Sequence, residues 1–148
     1  MSDESKRIFP NNLGLWGWLG GGRWGLERYL YILHRVTGLG LLMYLSLHIF
    51  VTSSRVFGQA ACEKWMGIVG GEVFHIGEYL VFVAFGFHAC NGLRLILLEL
   101  GWAVGKAEEP IYPYRSSLNT QRPLMVVVML LAAALVAMGT WNFFFIHG

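Results

Sequence analysis

His88 is the residue whose type and position point most directly to chemistry. It lies inside an apolar stretch and is followed by Gly92 one helical turn later. An imidazole in the hydrocarbon interior of a membrane is costly unless it binds something, so it marks a candidate site. The glycine leaves room beside the ring for a large flat group. The pattern predicts an axial haem ligand, and the alternative is helix packing with the ring hydrogen-bonded to a neighbouring carbonyl.

Small residues share the helix face of His88. At about 100° per residue, five positions of this helix that fall within about 40° of His88 are small apart from one acid. They are Gly77, Val81, Ala84, Gly92 and Glu99. Small side chains let another helix or a flat ligand approach the backbone closely. Beyond them, Arg94 and Glu99 supply charges where this helix should reach the lipid headgroups.

His34 and Arg35 open an earlier apolar stretch. One interpretation is anchoring, in which the arginine extends to lipid phosphates. The other is that the imidazole and the guanidinium bind anionic haem propionates or a quinone carbonyl. The nearby Thr37-Gly38 pair and His88 favour the second interpretation.

His48 follows His34 by 14 residues, which in a helix is about 21 Å along the axis and about 40° around it. If His34 and Arg94 mark similar depths, His48 lies about 10 Å further towards the outer side than His88. One imidazole at each of two heights suits two haems, each taking its other ligand from elsewhere. There are two alternatives. One is a single haem bound between His48 and His88, and the other is a packing role for His48. His75 and Glu78 are expected to have structural or surface roles.

The composition indicates that these candidate residues lie in a membrane protein. Of 148 residues, 55% are hydrophobic and only 14% are charged, which is unusual for a soluble domain. A spanning helix needs about 20 residues, so the length suits three spans without a separate soluble catalytic domain. The net charge of +2 and the lack of a basic cluster argue against nucleic-acid binding. Cys62, expected in a loop, and Cys90 form no metal or dithiol motif.

The predicted fold is an all-α membrane protein with three transmembrane helices, at about 29–54, 73–100 and 124–146, after an interfacial segment 1–28. Helices are expected because lipid cannot satisfy backbone polar groups. Pro123 is expected to open the third span, whose alanines and Gly139 predict close packing. Glycines argue against a fourth span in 13–25. Lysines and arginines before span one and after span two predict a cytoplasmic N-terminus and an outer C-terminus. No cleavable signal peptide is expected.

Two motifs together resemble the cytochrome b membrane-anchor subunit of succinate dehydrogenase. Tyr31–Gly38 resembles the HRxTG signature at the start of that family's first helix. His88–Arg94, followed by Glu99, resembles its H-x-x-N-G-[IL]-R…D segment on the second helix. The order, the spacing and the three-span layout agree from about residue 28 onwards.

The resemblance implies one of two anchor subunits that complete a helical bundle in the cytoplasmic membrane. His88 matches the axial ligand of haem b, whose partner histidine comes from the second anchor subunit. His34 matches a histidine on the propionate side, and Arg35 an arginine near the quinone pocket. A flavoprotein subunit would oxidise succinate and an iron–sulfur subunit would carry electrons to the anchor. This chain alone would therefore oxidise no succinate.

The sequence also departs from the family pattern. Tyr31 stands where many members have a serine. The serine hydroxyl that contacts quinone in those members is therefore missing here, and Tyr31 is a candidate for the quinone pocket in its place. His48 stands where one-haem members are apolar, which favours a two-haem version. The sequence is compatible with either menaquinone or ubiquinone as the quinone. The rival interpretations are the cytochrome b subunit of another respiratory enzyme, which usually has four or five spans, and a haem-free anchor.

Overall fold

A computed structural model of the chain describes residues 25–105 and 117–146, and every regular element in those ranges is helical. The helices are α1 (Leu26–Ser53), α2 (Gln59–Val69), α3 (Glu72–Glu99) and α4 (Leu118–Trp141). A short 3-10 turn, Ser54–Phe57, follows α1, and a wider π-type turn, Asn142–Ile146, follows α4. The chain forms two compact units, Met1–Leu33 and His34–Gly148.

Within residues 25–105 and 117–146, three helical segments are long and apolar enough to cross a membrane: Leu26–Phe57, Glu72–Glu99 and Leu118–Phe145. The predicted all-α membrane fold with three spans is therefore confirmed. The spans exist because their apolar runs reach the roughly 20 residues that the hydrocarbon core demands. Within the bilayer a helix satisfies its own backbone groups, whatever its neighbours do.

Two details of the predicted layout are wrong. Pro123 does not open the third span, because α4 begins at Leu118 and holds this proline in its interior. Hydropathy marks the part of a helix inside lipid and misses the polar turn that continues it. Cys62 does not lie in a loop but on α2, which joins the first two spans. Gly58, with φ of 100°, supplies the left-handed turn that separates α2 from the preceding 3-10 turn.

Helices α3 and α4 pack closely against each other. Their shared core consists of Cys90, Val128 and Ala132, with Leu124 and Met129 partly buried beside it. Nearer the C-terminal end of α4, Gly139 lies so close to the Phe82 ring that a Cβ there would overlap it. The face of α4 that packs against α3 is narrower than the alanines of this helix predict, because Ala133, Ala134 and Ala137 remain exposed. A helix can bury only residues spaced three or four apart against one neighbour.

Between His34 and Ser53, α1 has no buried residue. This part of the helix meets α3 through a few side chains near His34 and otherwise borders open space. In the N-terminal unit, Gly25 has φ of 83° and accepts a hydrogen bond from the Arg28 N–H at 3.3 Å. The predicted interfacial segment 13–25 lies, apart from Gly25, outside the described residues.

Candidate functional site

His88 projects from α3 against α1 and stacks on His34. The two ring centroids are 3.9 Å apart and the ring planes differ by 6°. His88 Nδ1 lies 3.1 Å from the backbone oxygen of His34 and 3.2 Å from Oγ1 of Thr37. The Thr37 hydroxyl itself donates to the His34 carbonyl at 3.0 Å. Because a carbonyl oxygen can only accept, the tautomer that satisfies this contact carries its proton on Nδ1.

Glycines on both helices allow this close approach. A Cβ on Gly38 would lie 2.9 Å from Cε1 of His88, which real Cβ atoms essentially never show. A Cβ on Gly92 would lie 3.5 Å from Cε1 of His34. Each helix therefore offers a glycine to the imidazole of the other. Gly92 was expected to leave room beside His88, and in this structure the ring that occupies its flank is that of His34.

Two polar residues of α3 are buried next to this histidine pair. Asn91 is completely buried and Arg94 is 6% exposed. The Arg94 Nε–H donates to Asn91 Oδ1 at 3.1 Å. Asn91 Nδ2 and His34 Nδ1 are buried without a hydrogen-bond partner among the described residues. Asn91 was not singled out from the sequence, although an amide inside a span, one turn from His88, is itself a signal.

A large cavity of about 760 Å³ lies between α1, α2 and α3. Its walls are mostly apolar and run from Val36 to Thr52 on α1 and from Phe74 to Ala84 on α3. His48 lines it, and the Tyr44 ring lies 5.7 Å from that of His48. His88 follows Ala84, the last lining residue of α3, by one helical turn. The volume falls in the range of about 300–1,000 Å³ typical of small-molecule sites.

The structure brings together only part of the predicted site. His34, His88 and Gly92 lie in one layer, and Arg94 follows His88 by six residues, about 9 Å along α3. His48 stands apart, ten residues beyond Gly38 on α1, which is about 15 Å along the helix.

The remaining predicted residues lie outside that layer. Arg35 is exposed, as is Tyr31 in the N-terminal unit. Glu99 is exposed at the end of α3. His75 stacks on Phe143 with centroids 4.3 Å apart, which fits the structural role expected for it.

Comparison with known proteins identifies the family of this chain. The family model described as succinate dehydrogenase/fumarate reductase transmembrane subunit matches residues 11–137. The chain belongs to this family. A similar protein is the succinate dehydrogenase hydrophobic membrane anchor subunit of Halobacterium salinarum, 26% identical over 113 residues, which cover 76% of this chain and 83% of that protein. No solved structure matches.

Membership of this family confirms the resemblance inferred from the two motifs. The chain is thus a membrane protein and a transmembrane subunit of the succinate dehydrogenase/fumarate reductase type. The match spans all three helices that are able to cross the bilayer, up to residue 137. Four- and five-span cytochromes of other respiratory enzymes no longer compete as an interpretation.

The residues around His88 fit an iron porphyrin. Ligating histidines almost always donate their second ring N–H to a carbonyl, carboxylate or water, which fixes the tautomer that binds metal through the other nitrogen. The His34 carbonyl at His88 Nδ1 provides this contact and leaves Nε2 as the lone-pair donor. No cluster of three or more His, Cys, Asp or Glu suited to a free metal ion occurs in residues 25–105 and 117–146. A haem needs only one such side chain on each side of its ring.

Adding a methyl group at Gly38 tests the position of the His88 ring. We expect Gly38→Ala to displace this ring and to lower the haem content of the purified complex severalfold, because the new Cβ would meet Cε1 at 2.9 Å. Gly67→Ala is the control, since a Cβ there has nothing within 4 Å and Gly67 does not line the large cavity. Haem and flavin are measured together in both variants. Equal haem-to-flavin ratios in Gly38→Ala and Gly67→Ala would show that the ring need not stay where the structure has it.

Proposed function

We propose that the chain is one of two membrane-anchor subunits of a succinate:quinone oxidoreductase and that it binds b-type haem through His88. The observation that carries the proposal is the His88 imidazole, whose Nδ1 is held by the His34 carbonyl inside a membrane-spanning helix. The family membership supplies the enzyme type. The second axial ligand is expected from the other anchor subunit.

The residues around His88 orient its ring. The His34 carbonyl and the Thr37 hydroxyl fix the rotation of its ring, and Gly38 lets the ring lie flat against α1. Gly92 lies beside the His34 ring, and the buried Arg94 guanidinium, six residues beyond His88, is suited to anionic propionates. When bound, haem supplies one-electron redox chemistry whose potential depends on this protein environment.

The quinone pocket is proposed to involve Arg35 and His34. Arg35 can donate to a quinone carbonyl, and its exposed position on α1 leaves it accessible to a second subunit or a ligand. On the sequence motif alone, the Tyr31 hydroxyl is a separate candidate contact for quinone. Either menaquinone or ubiquinone suits these donors. The succinate-oxidising flavoprotein and the iron–sulfur subunit would bind on the cytoplasmic side, where the positive-inside rule places the N-terminus.

A second haem, ligated by His48, is proposed in the large cavity. The cavity is apolar, of suitable size and lined by this imidazole. One haem held by both histidines of the same chain is disfavoured, because two nitrogens on one metal lie about 4 Å apart. His88 instead meets α1 at the level of Gly38, about 15 Å from His48 along the helix. Each haem would then need a ligand from the second anchor subunit.

The proposal is tested on the purified complex. We expect the wild-type complex to contain haem by the pyridine haemochrome assay and to reduce quinone with succinate. Arg35→Gln should slow electron transfer to quinone severalfold while leaving haem content, and succinate oxidation with a soluble artificial acceptor, unchanged. A wild-type complex with no Soret band would identify a haem-free anchor. Equal quinone reduction in wild type and Arg35→Gln would remove this arginine from the pocket.

A further inference from the structure

Asn91 is the one described residue whose large side chain is fully buried, and it is polar. Burying an amide in a membrane protein costs free energy unless its polar atoms find partners. Its Oδ1 has one, the Nε–H of Arg94 at 3.1 Å. Such a residue is expected to have a role beyond filling space, because leucine would fill a similar volume without a polar group to satisfy.

The hydrogen bond to Nε determines where the Arg94 charge lies. Nε is part of the planar guanidinium, so a bond to it fixes the plane of the whole group. Without such a bond, an arginine near the end of a spanning helix extends towards the headgroups and water. With it, Arg94 remains 6% exposed within the bundle. The bond from Arg94 to Asn91 therefore favours a buried position for this positive charge.

This charge lies close to the proposed haem ligand. Arg94 follows His88 by six residues, about 9 Å along α3. It also interacts electrostatically with His34, whose ring stacks on His88 at 3.9 Å. A reduced haem carries one positive charge less than an oxidised one. A fixed cation at this distance therefore favours the reduced form, since burial strengthens the electrostatic effect.

We propose that Asn91 is a positioning residue that keeps the Arg94 guanidinium buried beside the His34–His88 pair and thereby raises the midpoint potential of the haem at His88. The inference rests on the proposed function, because it requires haem at this histidine. It assigns Asn91 no contact with haem or quinone. Its whole effect is exerted through Arg94.

The experiment is a double-mutant cycle on the midpoint potential of the His88 haem in the purified complex. Arg94→Gln should shift this potential downward, and Asn91→Leu should shift it in the same direction by a smaller amount. In the Arg94→Gln background, Asn91→Leu should cause no further shift, because the charge that it positions is gone. Asn119→Leu, an exposed asparagine of α4, is the matched control and should leave the potential unchanged.

Other results would overturn the inference. An unchanged potential in Asn91→Leu, or an equal shift in both backgrounds, would reduce Asn91 to a packing residue. If Asn91→Leu fails to assemble, Arg94→Lys gives the decision, because lysine keeps the charge but has no Nε for Asn91 to hold. A wild-type potential in Arg94→Lys would contradict the inference. A wild-type complex without haem would contradict the proposed function as well, whereas haem with an Asn91-independent potential would contradict only this inference.

Discussion

Replacing His88 with alanine should remove one haem from the assembled complex. The substitution deletes the nitrogen that the His34 carbonyl leaves available for iron, and the imidazole that stacks on His88 is that of His34. His34 Nδ1 is buried and its ring lies against Gly92, so the ring cannot take the place of His88 without leaving its stack. We expect haem at this site to fall by more than about tenfold, since even the loss of a supporting residue costs about 10- to 100-fold in metal affinity.

The measurement is haem per flavin, with the reduced spectrum of the same sample. His75→Ala is the matched control, because His75 lies on the same helix but stacks on Phe143 and is half-exposed. The control should keep the wild-type haem content. If His88→Ala retained full haem content and an unchanged reduced spectrum, His88 would be a packing residue and the proposed ligand would have to be sought elsewhere.

Replacing His48 with alanine should remove a different haem. This histidine lines the cavity between α1, α2 and α3 and lies about 15 Å along α1 from the residues that hold His88. The haem content of the complex should therefore fall by about half, and the bands that remain should be those lost in His88→Ala. The physical reason is that each haem iron depends on its own nitrogen donor at its own depth.

Leu47→Ala controls for the loss of volume in the cavity, because Leu47 also lines it but carries no nitrogen. It should retain both haems. Full haem content with an unchanged spectrum in His48→Ala would end the two-haem proposal and leave the family assignment untouched. Loss of all haem in both histidine variants would instead favour a single haem that needs both residues.

Much of the fold could be predicted from the sequence because the bilayer imposes strict requirements on it. Apolar runs of the necessary length identify three spans, and a single helix satisfies its backbone without reference to its neighbours. His88 could be singled out as a candidate site for a related reason, since an imidazole within such a run needs a partner. The short helix α2 was missed because its polar residues and its 11-residue length carry no membrane signal.

The sequence singled out several residues of the candidate site, but it did not predict how they are arranged. Helical periodicity placed His88 and Gly92 on one face of α3, and the structure keeps them there. It could not reveal that His34 stacks on His88, that Gly38 makes room for the ring, or that Asn91 is fully buried. Those facts depend on which face of α1 meets which face of α3.

The sequence by itself determined that the chain is helical, that it crosses a membrane three times and to which family it is related. These properties follow from local composition and short motifs, which act within one helix. The tertiary structure alone decided the His34–His88 contact, the Nδ1 hydrogen bond, the cavity beside His48 and the buried Asn91–Arg94 pair. In lipid all apolar helix faces are nearly equivalent, so small differences in packing and hydrogen bonding, summed over several helices, select the arrangement.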